Sequence, residues 1–269
     1  ILGADAFRGL IVKINYDRKV ITLMKKNFFK GPGKGYDTTD IEVYRNKPYI
    51  TTEVAIRRDS SARVKLLLDT GATLSMMLYT DTHPSLQLPP HTLKGQIGAG
   101  LGGYLEGYLG RVNQLSFGGE HFNQVLTNFQ EVNEGVDTML LFGRNGIIGN
   151  KLLNRFHVIL DYTSEKMYLK PSRRFSKKFE YDKSGLVVIA AGQRLNSFVI
   201  LDVLEGSPAA EAGLLKGDEI RRVNLRPAGF LSLGDLHRLF SRKTGKRIKI
   251  VVIRHGQKLK KSFILRKLI

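Results

Sequence analysis

An internal repeat restricts this chain more than any other feature. Residues Ile1-Leu2-Gly3 through Leu23 align without gaps to Ile147-Ile148-Gly149 through Leu169, at an offset of 149 − 3 = 146. Gly3 matches Gly149, Val12 matches Val158, Tyr16 matches Tyr162 and Leu23 matches Leu169. The apolar positions between these anchors coincide as well. A unit is therefore present whole from about Asp40 to Pro171, and the tail of a second copy lies at residues 1–30. Tandem copies, with the chain starting late in the first, explain this most simply; chance similarity of two hairpins is the alternative.

The segments before residue 170 are short, rich in β-branched and aromatic residues, and mostly alternating, as in Tyr49–Ile56 and Val158–Tyr162. Turn residues separate them, as at Arg58-Asp59-Ser60-Ser61 and Thr163-Ser164-Glu165-Lys166. This region reads as predominantly β. Residues 172–183 lie in a basic stretch with Ser and a neighbouring Pro, and read as a linker. From residue 184 to 269 the expected order is strand, turn, strand, helix, strand, helix and two strands.

The formal net charge is +19. From Lys183 to Ile269 there are 18 Lys and Arg against 6 Asp and Glu, so 18 − 6 = 12 of those charges fall in the C-terminal third. They punctuate strands, as in Arg247-Ile248-Lys249-Ile250, which is the pattern of a solvated sheet face. An acidic partner, anionic lipid or polyanion is the other reading. No zinc-finger, RNP-type or basic-zipper pattern points to specific nucleic-acid binding. No stretch approaches the ~20 apolar residues of a membrane-spanning helix. The chain has no cysteine, so disulfides and thiol nucleophiles are excluded. Its six histidines show no metal-ligand spacing, so no metal or other cofactor is expected.

Chemistry concentrates at Val64-Lys65-Leu66-Leu67-Leu68-Asp69-Thr70-Gly71-Ala72. An apolar strand delivers a carboxylate into a turn that Gly allows to be tight. The Thr hydroxyl and backbone N–H groups are available to fix the loop and orient the carboxylate. Leu67 to Ala72 and Ile147-Ile148-Gly149 together resemble the retropepsin-like aspartic proteases over about Asp40 to Pro171. The resemblance implies a closed β-barrel lobe spanning 31–171, with Asp69, Thr70 and Gly71 catalytic and Ala72 contacting substrate. It places a loop at Ile147–Gly149 behind the catalytic turn, a short helix over Asn150–Phe156, and a flap at the Gly-rich segment Gly95–Gly103. Gly98, Ala99, Gly100 and Leu101 would touch the substrate there. A phosphate-binding loop is the competing reading of those glycines, but neither a Walker Lys-Ser/Thr nor a dinucleotide context surrounds them.

In that family two Asp-Thr-Gly turns face each other, and their carboxylates share a proton to activate water. This chain supplies one. The resemblance leaves two sources for the second: an upstream lobe forming a pseudo-dimer, which the repeat favours, or a homodimer.

Ser207-Pro208-Ala209, Ala212-Gly213-Leu214 and Gly217-Asp218-Glu219-Ile220 resemble bacterial PDZ domains, an α+β fold. This implies a groove in which a peptide or protein ligand adds as a strand, formed by Leu195, Asn196, Ser197, Phe198 and Val199 with the second helix. The Gly192–Asn196 loop lacks the usual carboxylate-binding sequence. The expected whole is a mainly β, extracytoplasmic (periplasmic or cell-envelope) endopeptidase acting on polypeptides. The alternative is a non-catalytic peptide-binding scaffold.

Overall fold

Alternation of buried and exposed residues along short strands builds nearly all of the molecule. The computed structural model describes residues 4–100, 103–132, 143–192 and 196–269. The first strands are β1 (Leu10–Asn15), β2 (Val20–Lys25), β3 (Asp37–Asp40), β4 (Glu42–Tyr44), β5 (Lys47–Arg57), β6 (Ser60–Leu68) and β7 (Met76–Tyr79). They are followed by β8 (Leu93–Gly100), β9 (Gly103–Phe117), β10 (Glu120–Gln130), β11 (Gly146–Ile148), helix α1 (Asn150–Leu153), β12 (Phe156–Asp161) and β13 (Lys166–Pro171). The chain divides into two compact units, Ile1–Thr92 with Leu109–Phe179, and Leu93–Tyr108 with Glu180–Ile269.

One sheet has the order β4-β5-β6-β11-β7-β10-β9-β8, and β5 also pairs with β9. That pairing closes β5, β6, β11, β7, β10 and β9 into a six-stranded barrel. Val54, Val64, Leu66, Met76, Leu78, Val112, Leu115, Val125 and Phe129 are inaccessible to solvent and form its interior.

The second sheet, β2-β1-β12-β13-β3, contains both copies of the repeat. Adding 146 to the limits of the 3₁₀ turn Ala4–Phe7, of β1 and of β2 gives the limits of α1, β12 and β13. The turns match too. Lys19 and Glu165 both have positive φ, at 56° and 51°. Asn15 Oδ1 accepts from the Arg18 N–H at 3.0 Å, as Asp161 Oδ1 accepts from the Ser164 N–H at 2.9 Å. Burial pushes the phenols of Tyr16 and Tyr162 alike up to about 12.

β1 and β12 pair antiparallel, with Val12 opposite Leu160, Lys13 opposite Ile159 and Ile14 opposite Val158. Because Val12 is equivalent to Val158 and Ile14 to Leu160, the register is symmetric about the Lys13–Ile159 pair. The repeated hairpins are thus related by a local two-fold axis. Their environments differ: Met167 and Leu169 of β13 are fully buried, whereas the equivalent Ile21 and Leu23 of β2 are 61% and 46% exposed. The N-terminal hairpin lies outside the closed barrel.

α1 is shorter than expected, ending at Leu153 because Phe156 already enters the ladder opposite Pro171. The segment read as a linker is anchored at several points. Buried Arg155 donates from Nη1 to the carbonyls of Phe175 (2.8 Å) and Lys177, and its guanidinium lies 3.7 Å from the centre of the Phe179 ring. Phe122 meets Phe156, Phe175 and Phe179 edge-on around it. Burial lowers the Arg155 pKa to about 10.

In the second unit, β14 (Leu186–Ala191), β15 (Ser197–Val203), β16 (Glu219–Val223), β18 (Arg247–Arg254) and β19 (Gln257–Ile264) form a sheet in that order, with β17 (Arg226–Pro227) beside β16. Helix α2 (Pro208–Glu211) starts on Ser207, whose side chain accepts from Ala210 N, with Pro208 at its first position. Helix α3 (Leu233–Phe240) begins with a capping box between Ser232 and Asp235, and buries Leu236, Leu239 and Phe240.

Asp218, fully buried, explains why Gly217-Asp218 recurs as a signature. Arg254 grips both its carboxylate oxygens, Nε to Oδ1 at 2.6 Å and Nη2 to Oδ2 at 2.8 Å, and also donates to the Gly213 carbonyl. Burial raises the Asp218 pKa, but the Arg254 hydrogen bonds and charge outweigh this and leave it below the ordinary 3.8. A carboxyl depressed in the folded state contributes stability above its unfolded pKa and loses it as pH falls through the folded value. Arg254→Ala leaves a buried charge unpaired, and we expect it to cost this unit about 3–5 kcal/mol at neutral pH. The loss should shrink in acid below pH 3.8, where the carboxyl protonates; urea titrations at the two pH values measure it.

Candidate active site

β6 carries Val64, Leu66 and Leu68 into the barrel interior and releases the chain at Asp69. β6 and β7 are consecutive in sequence but do not pair. β11 runs between them, parallel to β6 and antiparallel to β7. The Asp69 N–H donates to the Ile148 carbonyl at 2.9 Å, and the Asn150 N–H donates to the Ala72 carbonyl at 2.7 Å. The Ile147–Gly149 loop therefore lies behind the Asp69 turn and is bonded to it from both sides.

Two glycines make the crossing possible. A Cβ on Gly146 would lie 2.0 Å from the Met77 carbonyl oxygen. One on Gly149 would lie 2.4 Å from that of Leu74 and 2.9 Å from that of Ala72. The apolar-apolar-Gly motif is thus a steric requirement of one strand passing through the loop of another.

The Asp69 carboxylate is partly buried and firmly oriented. Oδ1 accepts from the N–H groups of Gly71 at 2.8 Å and Ala72 at 3.2 Å. Among the described residues Oδ2 takes no hydrogen bond. Thr70 and Gly71 are exposed. The expectation that the Thr70 hydroxyl fixes its own loop is not met: among the described residues it makes no hydrogen bond, and the backbone of Gly71 and Ala72 orients the carboxylate. Asp69, Thr70, Gly71 and Ala72 form one turn. Gly98, Ala99 and Gly100 lie in β8, which pairs with β9 as a hairpin, and Leu101 falls outside the described residues.

The expected peptide groove in the second unit needs correction. Ser197, Phe198 and Val199 belong to β15, which hydrogen-bonds to β14 on one side and β16 on the other. Such a strand offers no open ladder for an added peptide. Phe198 is fully buried in the core. Leu195 lies outside the described residues, and Asn196 precedes β15. The edge beside β15 is β14, the sheet's terminal strand, and sequence reasoning missed it. The signal was the turn before β14, where Asp182 Oδ1 accepts from the N–H groups of Ser184 and Gly185 and fixes the entry.

Residues 53–150 match the family model of aspartyl proteases, and residues 199–254 match that of PDZ domains. No curated protein matches the chain. Among solved structures, similarity extends to a retropepsin-like aspartic protease from Rickettsia conorii. It is 18% identical, covering 50% of this chain and 90% of that one, with a TM-score of 0.36. An HtrA-type protease determined with a decapeptide is 15% identical over 89% of this chain and 62% of that one, with a TM-score of 0.33. A serine endoprotease from Yersinia pestis is 13% identical over 98% of both chains, with a TM-score of 0.32. The chain thus joins a β-barrel lobe matched over residues 53–150 by the aspartyl protease model to a domain matched over residues 199–254 by the PDZ model.

Proposed function

We propose that this chain provides one half of an aspartic endopeptidase, with Asp69 as one member of the catalytic pair. The observation that carries this is the Asp69 turn: Oδ1 is held by two backbone N–H groups while Oδ2 is left for a second group. A carboxylate so placed next to another favours a shared proton, since the neighbouring like charge raises one pKa. The ionised member takes a proton from the attacking water as that water adds to the peptide carbonyl. The protonated member hydrogen-bonds the carbonyl oxygen, and the proton then reaches the leaving amine.

The symmetric register about Lys13 and Ile159 favours a partner carboxylate from an upstream lobe related by that two-fold axis. Gly98, Ala99, Gly100 and Leu101 of the flap would cover the substrate, and the edge of β14 would bind an extended peptide as an added strand. Serine chemistry has less support. Ser116 Oγ lies 3.1 Å from His121 Nδ1, but both sit on the exposed β9–β10 hairpin, and among the described residues no carboxylate orients that imidazole.

The test is cleavage of an unfolded protein such as reduced casein, with and without a pepstatin-like inhibitor. With an upstream lobe in the same polypeptide, we expect inhibitor-sensitive activity proportional to protein concentration. For the chain as given, activity rising with the square of concentration would indicate a homodimer instead. Cleavage that ignores the inhibitor would sink the aspartic mechanism, and its absence in both forms would leave a binding scaffold.

A further inference from the structure

The outer face of the PDZ sheet carries a pattern that peptide recognition does not use. Along β18 the inward residues Ile248, Ile250 and Val252 are buried in the core, and Phe263 of β19 joins them. The opposite face follows from the register. Arg247 stands opposite Ile264, Lys249 opposite Ser262, Val251 opposite Lys260 and Ile253 opposite Lys258. β16 extends these rows, with Arg222 opposite Val251. Arg222, Arg247, Lys249, Lys258 and Lys260 therefore share one exposed face.

Three other cations of this unit are in ion pairs, Arg254 with Asp218, Arg266 with Glu211 and Arg238 with Asp235. Among the described residues, none of the five on the outer face is in an ion pair. The one acid in their rows, Glu219, lies 3.3 Å from Arg221.

Solvation alone would account for five cations, but not for the apolar residues at their margin. Leu225 is 88% exposed and Ile264 50%. Leu225 follows Asn224 in the β16–β17 turn. The Asn224 N–H donates to the Lys249 carbonyl at 2.6 Å, and Asn224 Oδ1 accepts from the Lys249 N–H at 3.1 Å, so this turn is tied to the cationic face. Ile264 is the cross-strand neighbour of Arg247.

We propose that this face binds the surface of an anionic lipid bilayer. Clusters of roughly four to eight Lys and Arg are drawn to anionic headgroups. Exposed Leu and Ile beside such a cluster can enter the headgroup–acyl boundary while the cations stay with the phosphates. A nucleic acid offers stacking to aromatic rings but no apolar depth for Leu225 or Ile264. The inference is independent of the chemistry at Asp69.

Co-sedimentation of the full chain with vesicles tests it, using equal parts phosphatidylcholine and phosphatidylglycerol against phosphatidylcholine alone. Binding is expected only to the anionic vesicles, falling as salt is raised. Lys249→Glu with Lys260→Glu should weaken it roughly thirtyfold or more, at about fivefold per lost charge. Leu225→Ser with Ile264→Ser should weaken vesicle binding about tenfold while leaving retention on heparin unchanged. Every substituted side chain is exposed, and unfolding midpoints check that each variant is folded. Wild-type chain remaining in the supernatant, or serine variants binding vesicles as wild type does, would overturn the proposal. So would tight retention on heparin or polyglutamate without vesicle binding, which would indicate a polyanionic or acidic protein partner.

Discussion

Asp69→Asn is expected to abolish peptide cleavage while leaving the barrel folded. The amide keeps an oxygen in the place of Oδ1, so the N–H groups of Gly71 and Ala72 retain their acceptor. What is lost is the ability to ionise. The pair can then no longer present a base and a proton donor together, and general acid–base catalysis contributes roughly 10²–10⁴-fold. The expected loss in kcat is of that order or larger, with an unchanged unfolding midpoint and little change in substrate binding. Retained turnover in this variant, in protein shown to contain both lobes, would remove Asp69 from the mechanism.

Gly149→Ala should be among the most damaging single-methyl changes in the lobe, alongside Gly146→Ala. The backbone at Gly149, with φ −105° and ψ −179°, is extended and open to any residue, so conformational strain contributes nothing. The whole cost comes from the new Cβ meeting the carbonyl oxygens of Leu74 at 2.4 Å and Ala72 at 2.9 Å. Backbone cannot rotate aside as a side chain can. We expect a loss on the order of 3–5 kcal/mol and a displaced Asp69 turn, so activity and stability fall together. Gly234→Ala supplies the contrast: in α3, with its nearest new contact at 3.7 Å, it should stabilise by about 0.5–1 kcal/mol. Equal unfolding midpoints for Gly149→Ala and wild type would contradict the steric account of the crossing.

The barrel lobe and the Asp69 turn were legible because the residues that make them are local and chemically particular. Asp69-Thr70-Gly71 announces a carboxylate on a tight turn, and Ile147-Ile148-Gly149 announces a strand that must slip behind it. The repeat was legible in the same way, since Gly, Val and Tyr recur at fixed spacing. Strand order was not. The run Phe198–Leu204 is the most apolar strand of its domain, and that hid its place in the middle of the sheet. A central strand is apolar because it is covered on all sides, whereas an open edge is defined by a neighbour that sequence does not show. The anchoring of residues 172–183 stayed hidden for a related reason. Arginine is usually solvated, and nothing local tells that Arg155 meets the Phe122 and Phe179 rings and two carbonyls.

The pairing of β1 with β12 resembles a palindrome. A strand whose register is symmetric about one residue pair is complementary to its own copy, so a duplicated gene would bring its adhesive surface with it. Substitutions behave unequally on such a surface. A side chain on the axis, at Lys13 or Ile159, meets only its own counterpart. One placed off the axis, at Val12 or Ile14, faces a residue from the other half of the repeat. Of the four pairs, Val12–Leu160 and Ile14–Val158, on either side of the axis, have stayed aliphatic on both strands, while Lys13–Ile159 on the axis and Ile11–Asp161 at the end of the ladder have not.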